Sequence, residues 1–139
     1  MNRFPRMTRQ GLRDRFKLYN SLYFGDELKE PEHFELWTNN VKCVGWIRAI
    51  WNSKKNNYIT YFHINNRCYR WSEDCLRRVM LHEMIHMAIG DYLRPLTFWQ
   101  RIFPSKQHDR EFVEYMNRLN EKYNLDITVR AKFMREFRK

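Results

Sequence analysis

The run His82-Glu83-Met84-Ile85-His86 is the HExxH pattern, two histidines four residues apart with a glutamate directly after the first. On an α-helix, residues four apart lie one turn apart on one face. Both imidazoles then aim at a common point, as a tetrahedral Zn2+ with Zn–N of about 2.0 to 2.1 Å requires. Glu83 stands beside such an ion rather than on it. Its carboxylate can take a proton from metal-activated water and return it to a leaving amine, which is peptidase chemistry.

A catalytic zinc site needs a third protein ligand and one open position. Three further histidines remain: His33, His63 and His108. His108 lies four residues before Phe112 on the apolar stripe of the last helix, so packing that stripe on the HExxH helix brings its imidazole inward, and it is the favoured ligand. His63 falls in a strand with Ile59 and Tyr61 on one face, the setting of a hydrogen-bonded core or edge histidine. His33 follows Pro31 in an acidic turn and is expected to be exposed. Glu111, Glu114 or Asp91 serves instead if the helix is rotated from this register. An oxyanion donor is also needed, for which Tyr92 and Arg94, in the segment after the HExxH helix, are the candidates.

These residues must be positioned by the elements around them. Thr8 can cap a helix with Leu12, Phe16, Tyr19 and Tyr23 on one face, ending before Gly25. Aromatic and β-branched residues dominate Phe34 to Thr38, Cys43 to Trp51 and Tyr58 to Asn65, predicting three strands with the last two as a hairpin. Ser72 as N-cap, Glu73 and Asp74 in the first turn, and Gly90 as the stop bracket a helix apolar on nearly every side, hence a buried central one. Residues 91 to 107 read as a loop, with one short helical turn near Thr97 to Phe103. Its aromatics Phe98, Trp99 and Phe103 suit a lid, a substrate-side wall, a partner surface or plain packing. A last helix runs from about Gln107 to Tyr123, with His108, Phe112, Tyr115, Leu119 and Tyr123 along one stripe. A short strand at Ile127 to Val129 and a basic tail follow.

The 139 residues suffice for one core, so residues 1–139 read as a single domain. No uncharged stretch is long enough to span a bilayer. The start MNRFPRMTRQG has no apolar h-region, so the expectation is a cytoplasmic, nucleoid or nuclear protein that is not secreted. Cys43, Cys68 and Cys75 form no CxxC pair, and an odd count without a signal peptide predicts buried or spectator thiols rather than a disulfide framework. The net charge of +10 gathers at the ends: residues 1 to 17 carry six Lys/Arg against Asp14, and residues 129 to 139 carry five against Glu136. A nearly neutral globule with basic ends suits a polyanion. Arg3, Arg6, Arg9, Arg13, Arg130, Lys132, Arg135 and Arg138 are candidate phosphate contacts, and Phe133 and Phe137 either stack on bases or dock a terminal helix.

MLHEMIH, the later HDREF, an N-terminal LYNSLYFGDEL and LDITV after the last helix together resemble the SprT-like metalloproteases, including the Spartan type. The resemblance spans about Leu12 to Val129. It implies a small α+β zincin-like domain: an N-terminal helix, a three- to four-stranded sheet, a central HExxH helix and a following helix bearing the third ligand. By position, it implies that His82, His86 and His108 bind zinc and that Glu83 is the catalytic base. It further implies proteolysis coupled to DNA, notably removal of proteins crosslinked to it. Two departures stand out: Gln107 replaces the family's glycine before the third histidine, and the segment between His86 and His108 is longer than in the Spartan type. No cysteine follows Cys75, so the cysteine zinc ribbon of many bacterial relatives is not expected within these residues. The expected function is therefore a monomeric zinc metallopeptidase acting on DNA-associated proteins. The rival readings are a nucleic-acid-binding module with a structural zinc and a general metallopeptidase with no DNA role.

Overall fold

The computed structural model describes residues 7–37, 44–93 and 110–128, and forms a small α+β arrangement with three helices and a three-stranded sheet among them. Helix α1, Arg9–Tyr23, begins where the Thr8 hydroxyl accepts the Gly11 N–H at 2.9 Å. Leu12, Phe16 and Tyr19 form its buried face, as their spacing predicts, with Tyr23 partly buried at its end. The chain reverses through Gly25 and Asp26, both at positive φ. The Asn20 side chain then clamps the departing chain, donating to Leu28 O at 2.9 Å and accepting from Leu28 N at 3.2 Å.

Strands β1 (His33–Trp37), β2 (Gly45–Asn52) and β3 (Asn57–Asn65) fall within a residue or two of expectation. β2 and β3 form the predicted antiparallel hairpin, whereas β1 lies parallel to β3, giving the order β1-β3-β2. Hydrophobic patterning fixes which face of a strand is buried, not which neighbour it pairs with, so the parallel pairing could not be read in advance. Phe34, Ile47, Phe62 and Ile64 are buried on one face of this sheet, where Phe16 meets Phe34 and Phe62 edge-on at 5.8 and 5.9 Å.

Helix α2, Glu73–Ile89, starts with Ser72 Oγ accepting the Cys75 N–H at 3.0 Å and stops at Gly90, whose φ of 73° favours glycine. Its residues Val79 to Ile85 are all buried, as expected for a central helix. Helix α3, Arg110–Tyr123, packs on α2. Its buried line is Phe112, Met116 and Leu119, with Tyr115 and Tyr123 partly buried beside it, a modest rotation from the predicted stripe. Methionine fills the packed centre, while the tyrosines keep their polar tips near water.

No strand forms at Ile127 and Thr128, which corrects the expected Ile127–Val129 strand over its described part. The Asn120 side chain takes the place of a strand neighbour: it accepts from Ile127 N at 2.9 Å and donates to Ile127 O at 3.0 Å, satisfying both backbone groups of this buried residue. An Arg78–Asp126 ion pair ties the same segment to α2. Cys68 and Cys75 are buried, and burial pushes the Cys68 thiol up to about 12. Cys43, the predicted turn at Thr97 to Phe103, and Phe133 and Phe137 lie outside the described residues, and no helix among those described is long and apolar enough to cross a membrane.

Candidate metal centre

Helix geometry puts His82 and His86 on one face of α2, with ring centroids 5.2 Å apart. Each ring is held by its Nδ1 atom. For His82 the partner is Thr128 O at 2.8 Å, and since a carbonyl only accepts, Nδ1 carries the proton and Nε2 the lone pair. His86 Nδ1 lies 2.9 Å from both Asp91 carboxylate oxygens, which select the same tautomer. Asp91 reaches back because Gly90 ends α2 in a left-handed turn, folding the 3-10 turn Asp91–Leu93 against the last helical residues. Phe112, in the first turn of α3, packs on both imidazoles, with centroids 4.9 and 4.6 Å away.

Glu83 is 7% exposed, and its Oε2 lies 3.9 Å from His82 Nε2. Burial pushes the carboxyl up to about 7; His86 opposes that shift and Asp91 adds to it. The apolar wall comes from β2. At Gly45 a Cβ atom would meet Glu83 Cγ at 3.1 Å and Val79 Cγ1 at 3.2 Å, so a side chain there would require both to give by a few tenths of an ångström in this buried site. Gly45→Ala is therefore expected to destabilise the fold by about 1–3 kcal/mol through overpacking. A lowered urea midpoint at unchanged m-value checks this.

Two imidazoles with matching tautomers and a carboxylate beside them fit a divalent transition metal. Outer partners on Nδ1 that set ring orientation are what metal-ligating histidines ordinarily have. No group of three or more His, Cys, Asp or Glu able to hold a metal occurs among the described residues. The third ligand of such a site must therefore come from elsewhere, and His108 lies outside the described residues. Of the alternatives, Asp91 is engaged with His86, Glu114 pairs with Arg110 at 2.8 Å, and Glu111 is exposed.

The other singled-out residues are placed as follows. Tyr92 lines a cavity of about 310 Å³ with Phe24, Leu28, Met87 and Tyr115, to which none of His82, Glu83 or His86 contributes. Arg94, Phe98, Trp99 and Phe103 lie outside the described residues, as do Arg3, Arg6, Arg130, Lys132, Arg135 and Arg138. Arg9 pairs with Glu35 at 3.3 Å, Arg13 with Glu30 at 3.0 Å and Arg15 with Glu73 at 2.8 Å. The described part of the basic start is thus partly neutralised by the domain's own carboxylates. His63 is the hydrogen-bonded histidine expected, accepting from Arg48 Nε at 2.9 Å, and burial together with Arg48 holds its imidazolium below the usual histidine range. His33 is exposed but opens β1 rather than sitting in a turn.

Sequence reasoning missed Thr128 and Asp91 as the groups that orient the rings. Asp91 carried a signal, an acidic residue directly after the helix-stopping glycine and five beyond His86. Thr128 acts through a backbone carbonyl, which leaves no trace in residue type.

The SprT-like family model matches residues 12–131, a span holding most of α1, the sheet, the HExxH helix and α3. No curated protein matches the chain significantly.

Proposed function

The chain belongs to the SprT-like family, and on that footing we propose that it is a zinc-dependent metalloprotease hydrolysing peptide bonds in proteins associated with or crosslinked to DNA. The observation that carries the metal reading is the pair of Nδ1 anchors, which present both Nε2 lone pairs on the face beside buried Glu83. His82 and His86 would hold zinc, with His108 as third ligand. Phe112, in the first turn of α3, touches both rings, and His108 stands four residues before it in sequence, within short chain reach of them.

Bound zinc supplies Lewis acidity, polarising the scissile carbonyl and making water nucleophilic near neutral pH. Glu83 takes the proton of the attacking water and delivers it to the departing amine nitrogen. Its burial beneath β2 at Gly45 keeps the carboxyl basic enough to accept a proton and still able to give it up. Asp91 and Thr128 hold the rings, and His86 paired with a carboxylate is the more strongly donating ligand. Asp91→Ala is expected to weaken zinc binding about 10- to 100-fold, read by competition with a chromogenic chelator, with secondary structure unchanged by circular dichroism.

The nucleic-acid part of the proposal is supported by the net charge of +10 concentrated toward the two ends of the chain. The test is a protease assay on a DNA-binding protein substrate, with zinc-loaded chain alone, with single-stranded DNA and with duplex. Cleavage stimulated by either DNA supports the full reading. Cleavage indifferent to DNA leaves a general metallopeptidase. No cleavage in any arm, from chain that binds zinc with all four positions closed, leaves a structural zinc.

A further inference from the structure

The sheet has a second face, turned away from the core, and its composition is unusual for a surface. Alternation along the strands puts Trp46 and Arg48 of β2, Tyr61 and His63 of β3 and His33 of β1 on that face. The register sets them side by side: Trp46 opposite His63, Arg48 opposite Tyr61, and Tyr61 opposite His33. Their rings stand nearly parallel across three strands. His33 lies 4.7 Å from Tyr61 at 18°, Tyr61 lies 6.3 Å from His63 at 18°, and His63 lies 5.3 Å from Trp46 at 25°. Arg48 is seated among them, its guanidinium 4.2 Å from the Tyr61 ring and 5.8 Å from that of Trp46, with Nε donating to His63.

This row is preorganised. The buried His63 and the Arg48 bridge hold the rings, while the two ends of the row, His33 and Trp46, are exposed, Trp46 by 45%. A half-exposed tryptophan costs solvation that a partner with a flat π-face would recover. Arg48 on the face and the exposed Lys54 and Lys55 in the hairpin turn add positive charge, and Arg9 offsets Glu35 on β1. With Arg48, Lys54 and Lys55 as its cations, the complement of this face is a flexible polyanion carrying planar rings.

We infer that the outer face of the sheet binds single-stranded nucleic acid, with an unpaired base stacking on Trp46 and its phosphates running past Arg48 toward Lys54 and Lys55. Duplex is a poor fit, because its bases are already stacked and present no free face. The inference rests on the proposed function for the partner's class and adds where that partner sits. It needs no metal and no peptide hydrolysis.

The experiment uses the full chain and a fluorescein-labelled oligothymidylate, read by anisotropy at several salt concentrations, with a duplex of equal length alongside. The expected result is preferential binding of the single strand, weakened about tenfold in Trp46→Ala, with a similar salt slope because the phosphate contacts persist. Trp46→Phe should recover most of the affinity, and Trp51→Ala, an exposed tryptophan of the opposite strand parity, should bind like the parent chain. An iodouracil-substituted oligonucleotide should crosslink to Trp46 or Tyr61 in the unmodified chain, which keeps the test independent of whether Trp46→Ala folds. Binding indifferent to Trp46, with crosslinks only in the terminal basic segments, would overturn the assignment of this face but keep nucleic acid as a partner. Absence of binding to either nucleic acid would overturn both. An unfolded polypeptide that competes for Trp46 where the oligonucleotide does not would make the face a protein-docking surface instead.

Discussion

Glu83→Gln is expected to lower peptide-bond hydrolysis by about 100- to 10,000-fold, the range a positioned general base contributes, while zinc still binds with the parent stoichiometry. Glutamine matches glutamate in shape, so the close approach of Gly45 to this side chain is preserved and the fold should be retained. The amide cannot accept the proton of the attacking water. The loss should fall on kcat, with little change in KM, because the carboxylate acts on the reacting atoms rather than on substrate affinity. Cleavage of a quenched fluorescent protein substrate by zinc-loaded chain reads this directly. Near-parent activity in Glu83→Gln would remove the general-base role.

His108→Ala should weaken zinc binding by more than the roughly 10- to 100-fold associated with loss of an outer partner such as Asp91, and should abolish hydrolysis with it. The reasoning is that His82 and His86 alone leave two positions to solvent, whereas catalytic zinc sites use three protein ligands. The comparison among variants carries the test. Glu111→Ala and Glu114→Ala should bind zinc like the parent chain, since Glu111 is exposed and Glu114 is paired with Arg110. If one of these glutamate variants loses zinc while His108→Ala keeps it, the third ligand is a carboxylate and α3 presents a different face from the one proposed.

Much of the frame was legible because it depends on local chemistry. Thr8 and Ser72 cap their helices through side-chain oxygens, Gly90 ends α2 in the left-handed region, and both helices begin within one residue of where those signals place them. The burial of α2 followed from apolar residues on most of its sides. The pairing of β1 with β3 was not legible, because strand patterning carries no information on neighbours. Nor was the path of Leu125 to Thr128, where the Asn120 side chain satisfies the backbone that a strand would otherwise satisfy. That substitution matters to the site, since it delivers the Thr128 carbonyl to His82. The motif histidines were found from spacing alone, but the groups orienting them arrive from a turn and a carbonyl that spacing does not encode.

X-ray absorption at the zinc edge, on the full chain loaded with one equivalent of zinc, tests the central claim most directly. The account predicts three imidazole nitrogens and one exchangeable oxygen at about 2.0 to 2.1 Å. A sulfur scatterer near about 2.3 Å, or a fourth protein ligand in place of the oxygen, would contradict it.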